Sequence, residues 1–249
     1  MSYKYLGCRA LDGIKLPESL ISMGERTFME CTSLSSIAIP ATLTSIPQSA
    51  FFDCQSLKYV SLPATVTTIG DGAFSQCGLE SIDIPSRVDS IGKSAFNGCA
   101  QLKSIALPDE LTCIDIATFE NCPQLQSIVL PENLKEIKQQ AFSNDNNIKV
   151  VTAKMRQPMP FKETGINITQ PATLYIPEGT REAYAEANWL GVFDTVREIS
   201  ITDITQLLSI HNSKPSSLTP WYTLSGRRIT TTPTRPGLCI KDGRKVLIK

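Results

Sequence analysis

Cysteine is the residue type here with the most latent chemistry, eight among 249 residues. Six of them, Cys8, Cys31, Cys54, Cys77, Cys99 and Cys122, recur at steps of 23, 23, 23, 22 and 23 residues. Zinc sites need ligands in close pairs a few residues apart, and a whole period between cysteines supplies none, so no metal is expected. Disulfides are the second possibility. Equivalent residues on adjacent coils of a stacked array lie about 4.8 Å apart, which a bridge could span. Their Cβ vectors would run parallel, however, and that suits a bridge poorly. A buried free cysteine behaves as a small hydrophobe. The expectation is therefore a packed column of reduced thiols at Cys31, Cys54, Cys77, Cys99 and Cys122, with Cys113 and Cys239 outside it.

Other reactive groups are sparse. His211 is the single histidine, in the polar stretch HNSKPSS. Nucleophilic catalysis needs a base held rigidly beside its nucleophile, and a linker cannot hold one. Asp109 and Glu110 are adjacent carboxylates in a turn after a proline, where solvated turn residues are the expectation. Asn167-Ile168-Thr169 fits the glycosylation acceptor pattern and carries no further expectation. The phosphate-binding patterns GxxxxGK[ST] and GxGxxG are absent from the sequence. The reading is a protein that is not an enzyme and takes no cofactor.

The cysteines belong to a larger unit. Residues 102–122, LKSIALPDELTCIDIATFENC, represent it. The prolines Pro17, Pro40, Pro63, Pro85, Pro108 and Pro131 and the aromatics Phe28, Phe51, Phe74, Phe96, Phe119 and Phe142 keep the same steps, with one short step of 22. A fixed period of this length predicts a stacked array. Within a unit, Leu34-Ser-Ser-Ile37-Ala-Ile39 alternates like a short strand buried on one face, and Pro40 ends it. Leu43 and Ile46 form a second apolar pair. Ala50-Phe51-x-x-Cys54 predicts a helical turn that points an aromatic inward. Burying each large apolar side chain contributes roughly 1.5–3 kcal/mol, against roughly 1–2 kcal/mol per ordered backbone residue. One unit cannot fold alone; stacked neighbours can.

The unit LxxIxIPxxLTxIxxxAFxxC resembles the leucine-rich repeats of the BspA-like family of bacterial surface proteins, across residues 1–199. That resemblance implies an α/β repeat: a right-handed leucine-rich-repeat solenoid with short parallel strands. Residues 174–193 carry the register at Leu174-Tyr-Ile176-Pro177 and then Thr180, expected to cap a helix bearing Ala183, Tyr184, Ala187 and Leu190. IPEGTxxAY with a following tryptophan resembles the way such arrays end. Residues 200–249 are expected to be a linker and a small antiparallel β tail, with hairpin turns at Ser225-Gly226 and Asp242-Gly243. Its pattern WYTLSGRRI…PGLCIKDGRKVLIK resembles C-terminal modules of secreted proteins, some of which serve export or anchoring.

The first unit begins at Tyr5 with no polar cap before it, so the chain is expected to be a piece of a longer protein. Residues 1–20 contain no apolar core of an export leader. The resemblance implies a secreted or cell-surface location, with any leader outside this stretch. Net charge is zero, with both signs mixed; nucleic acid is not an expected partner. No stretch is long and apolar enough to span a membrane. The remaining candidate surface is the open strand face. Its outward positions include Ser35, Ser36 and Ala38, then Lys58, Tyr59 and Ser61, then Glu80, Ser81 and Asp83, then Lys103, Ser104 and Ala106, then Gln126, Ser127 and Val129. Lys58, Tyr59, Ser61, Glu80, Asp83 and Lys103 are the candidate binding residues, Tyr59 the anchor. The expected role is non-catalytic adhesion to a protein or other extracellular macromolecule; the alternative is a spacer that presents another domain.

Overall fold

Each period of the sequence closes as one three-sided coil. The computed structural model describes residues 5–200 and, beyond them, only the backbone of four short strands. The chain divides into two units, Met1–Leu208 and Ser209–Lys249.

The first side of each coil is a short strand. Ser36–Ala38 pairs with Tyr59–Ser61, and Ser104–Ala106, Ser127–Leu130, Val150–Ala153, Thr173–Pro177 and Thr195–Ile199 form a five-stranded sheet. All these pairs are parallel and bring equivalent residues together: Ile37 with Val60, Ile105 with Ile128, Ile128 with Val151, Val151 with Leu174. Parallel pairing follows from the coil itself, because every turn re-enters the face in the same direction. The second side carries two-residue strands, Ser45–Ile46, Thr68–Ile69 and Ser90–Ile91 in one sheet and Cys113–Ile114 with Glu136–Ile137 in another.

The third side departs from expectation. Residues around Ala50-Phe51 form chained turns, not helix. The reason lies in the backbone. Residues two before and two after each phenylalanine sit in the left-handed region: Arg26 and Glu30, Ser49 and Asp53, Gly72 and Gln76, Ser94 and Gly98, Ala117 and Asn121, Gln140 and Asn144. That alternation turns N–H groups along the array axis. Ser49, Phe51 and Asp53 donate to Asp71, Ala73 and Ser75 of the next coil at 2.8, 2.9 and 2.8 Å. A helix would have used the same donors internally. Three such bonds recur at each junction from the coil of Phe28 to that of Phe142.

Inside, Phe28, Phe51, Phe74, Phe96, Phe119 and Phe142 stack with ring centroids 5.4 to 5.6 Å apart. Beside them, Cys31, Cys54, Cys77, Cys99 and Cys122 are buried free thiols. Cys54 Sγ donates to the Phe28 carbonyl at 3.1 Å, and Cys77 to that of Phe51 at 3.1 Å. The thiol thus fills an apolar slot and also satisfies a buried acceptor, which Ala could not do.

The strand face breaks at residues 79–84. Ile82 is buried in the same core as Ile37, Ile105 and Ile128, yet residues 79–84 form no strand, so the ladder is interrupted between Tyr59–Ser61 and Ser104–Ala106. This coil is entered by the short step. Gly78 fills it, and a Cβ at that position would collide with the Gln55 carbonyl oxygen.

After Phe142 the repeat becomes irregular, and helix and aromatics hold it. The helix Arg181–Glu186 is one turn and a half, the sole α-helix among the described residues. Thr180 precedes it without capping it; its hydroxyl donates to the Pro177 carbonyl at 2.6 Å. Tyr184 donates to the Met155 carbonyl at 2.8 Å, and Trp189 Nε1 to that of Met159 at 2.7 Å, pinning the irregular segment to the coil. In Ser209–Lys249, Trp221–Tyr222 pairs antiparallel with Arg228–Ile229, and Gly237–Lys241 with Arg244–Ile248. The expected turns at Ser225-Gly226 and Asp242-Gly243, and His211, lie outside the described residues.

Candidate functional site

The strand face presents side chains at every second residue, so neighbouring coils set equivalent side chains side by side. Lys58, Glu80 and Lys103 occupy one such position on three successive coils. Glu80 accepts from both lysines: Oε1 lies 3.5 Å from Lys58 Nζ and Oε2 lies 3.1 Å from Lys103 Nζ. Lys103 holds the Glu80 carboxyl below its ordinary range, with Lys58 assisting. Exposed pairs of this kind contribute about 0–1 kcal/mol to stability. Their effect is geometric, a fixed row of alternating charge across three coils.

Tyr59 lies beside this row and is 37% exposed, one of four large apolar side chains left open among the described residues. Ser61 and Asp83 share the exposed face, one coil apart. Hence Lys58, Glu80 and Lys103 are joined by contact, while Tyr59, Ser61 and Asp83 lie alongside them. The interruption at 79–84 falls within the same patch.

One part of the expected face is corrected. Ser127 and Val129 are buried at 8% and 5%, as is Thr152 on the following coil at 4%. The open surface therefore ends near Ala106. The carboxylate pair lies in a turn as expected, with Glu110 exposed and Asp109 half-exposed, and Asp109 has partners as well. Lys154 Nζ reaches both oxygens of Asp109, and the Glu132 amide donates to Asp109 Oδ1 at 3.1 Å. Asp109 is engaged as a structural acceptor, leaving Glu110 exposed. The sequence signal was Lys154 itself, standing where the register places proline.

A shallow polar depression lies between Arg156, Gln157, Thr180, Glu182 and Glu186. Small-molecule sites are enclosed and largely apolar, and this one is neither. Among the described residues there is no cluster of three metal-ligating side chains, and no helix is long and apolar enough to cross a membrane.

Comparisons with known proteins agree with this geometry. Among curated proteins none matches the chain. Of solved structures, a leucine-rich repeat protein from Bacteroides ovatus is 22% identical with a TM-score of 0.54, covering 80% of this chain and 63% of its own. The leucine-rich repeat protein of T. pallidum, TpLRR, is 20% identical with a TM-score of 0.56, covering 76% and 86%. The pneumococcal vaccine antigen PcpA is 21% identical with a TM-score of 0.50, covering 76% of this chain and 42% of its own. The chain thus spans less than two thirds of the length of the first and last of these. At such identities the likeness establishes the fold, a parallel-strand solenoid. Residues 1–99 and 68–157 match the BspA type leucine-rich repeat region, in six copies. Repeats of this family generally serve as binding or scaffold modules. With six copies of that repeat covering more than half of its residues, the chain belongs to the BspA-type leucine-rich repeat family.

Proposed function

We propose that this array acts without catalysis, as an adhesion module that binds a protein or other extracellular macromolecule on its open strand face, in a secreted or surface-attached protein. The observation that carries the proposal is the exposed Tyr59 beside the fixed charge row of Lys58, Glu80 and Lys103. Solenoids commonly use such faces for binding. Tyrosine is a favoured interface anchor because it supplies large contact area at low entropic cost. Ser61 and Asp83 add hydrogen-bonding groups to the same patch. The rest of the open face is small, so affinity must come from these few side chains and from area.

Truncating an interface tyrosine costs roughly 2 kcal/mol, about thirtyfold in affinity. Replacing Tyr59 and Asp83 by Ala should weaken binding to a partner captured from host-matrix or bacterial surface proteins by that order, with the melting temperature little changed. If binding survives the double change and is lost on deleting residues 209–249, the array is a spacer and the adhesion reading is wrong.

A further inference from the structure

The thiol column follows one hydrogen-bonding rule. Cys54, Cys77, Cys99 and Cys122 donate through Sγ to the carbonyls of Phe28, Phe51, Phe74 and Phe96, at 3.1 to 3.3 Å. Each of those carbonyls also receives the amide of the cysteine in its own coil, as Cys99 N to Phe96 at 3.2 Å. The rule changes once. Asp145 stands in the column 23 residues after Cys122 and is fully buried. Its Oδ1 accepts from the Cys122 amide at 2.7 Å, drawing that amide away from Phe119. Phe119 lies 26 residues before Asp145, the offset by which Cys54 reaches Phe28. Among the described residues its carbonyl receives neither of the two usual bonds, and Asp145 Oδ2 is buried with no partner. Two buried acceptors in adjoining register with no donor between them need one hydrogen.

We infer that Asp145 is held as the neutral acid in the folded array, donating Oδ2–H to the Phe119 carbonyl, and that its ionisation loosens the seam between the coils of Phe119 and Phe142. The seam is then locked by acid. Burial pushes the Asp145 carboxyl up to about 8, the Cys122 amide pulls it down, and the Glu120 carboxylate pushes it further up. Among the described residues, Glu120 and the Cys122 thiol are the titratable groups acting on it. Neither offers a positive charge. Asn97 Nδ2 donates to Glu120 Oε2 at 2.8 Å.

The sign follows from proton counting. An unfolded aspartate titrates near ~3.9, so between that value and about 8 the folded chain binds a proton that the unfolded chain lacks. The folding equilibrium then weakens about tenfold per pH unit across that window and levels off above it.

The test is urea denaturation of the full chain from pH 4.5 to 9, comparing wild type with Asp145→Asn and Asp145→Cys. Both variants supply a neutral donor, so groups elsewhere cancel in the difference. The expected difference curve slopes about tenfold per pH unit below 8 and is flat above. A curve flat throughout overturns the inference. A second readout needs no variant stability: the infrared carbonyl stretch of a protonated carboxyl should be present in native wild type at pH 7 and absent from Asp145→Asn. Its absence from the wild type overturns the inference. So does a rise in wild-type stability at pH 8.5 on adding calcium that Asp145→Asn does not share, since a cation would then cover Oδ2.

Discussion

Two kinds of cysteine coexist on one repeat. Cys8 is exposed and Cys113 half-buried, whereas the column residues are sealed. Burial pushes Cys31 up to about 11 and Cys99 up to about 12. Thiolate is the reactive form, so high values and burial both suppress attack. In the Cys239→Ser background, Cys8 should be alkylated rapidly in the native protein at pH 8, and Cys113 more slowly, since burial raises it too. Cys31, Cys54, Cys77, Cys99 and Cys122 should take up label only after denaturation, without reductant. Five masses lacking label after denaturation would mean bridges. At this scale the sequence was informative about position and silent about partners. The even spacing of the column places its thiols inward, yet nothing in the letters announces that each satisfies a carbonyl one coil back. Asp145 was visible as a register exception; its orphaned oxygen was not, because that depends on which carbonyl the Cys122 amide abandons.

At the scale of the elements, the turn side holds the array with backbone geometry that few residue types prefer. A left-handed conformation costs an ordinary L-residue roughly 1–2 kcal/mol, while glycine loses roughly 0.5–1 kcal/mol of entropy on being fixed. Gln140 is exposed with φ 61°. Gln140→Gly should therefore stabilise the chain by about 0.5–1 kcal/mol in urea denaturation. Gln139→Gly, an exposed neighbour outside the left-handed set, should destabilise it by a similar amount. Equal effects at both sites would contradict this account. The turn side was also the element least legible in sequence. Ala-Phe-x-x-Cys has helical spacing, and of the twelve positive-φ positions flanking the phenylalanines only Gly72, Gly98, Asn121 and Asn144 are residue types that mark that conformation. Only the pairing to the next coil makes the conformation worthwhile.

For the whole molecule, stability is a sum over neighbouring coils, and the junctions are unequal. Residues 79–84 join no strand ladder on the first side, while Ser104–Ala106, Ser127–Leu130 and Val150–Ala153 sit in one sheet. Native-state hydrogen exchange should show the amides of 80–84 opening well before those of Ile105, Ile128 and Val151, since local openings follow local pairing. Uniform protection along this face would show that the short step costs the array nothing. The fold's period, its buried column and its strand order were all readable from spacing alone. The extent of the open face was not: Ser127 and Val129 alternate outward as their counterparts do, yet both are buried.

The two strand ladders share one gap. The first side is unpaired from Tyr59–Ser61 to Ser104–Ala106, and the second is unpaired between Ser90–Ile91 and Cys113–Ile114. The aromatic stack and the axial turn bonds cross that level without a break. A tensile load along the stacking axis therefore meets one cross-section, between the coil of Phe96 and that of Phe119, that neither ladder crosses. Under pulling, the array should part there first, with the coils on either side still folded.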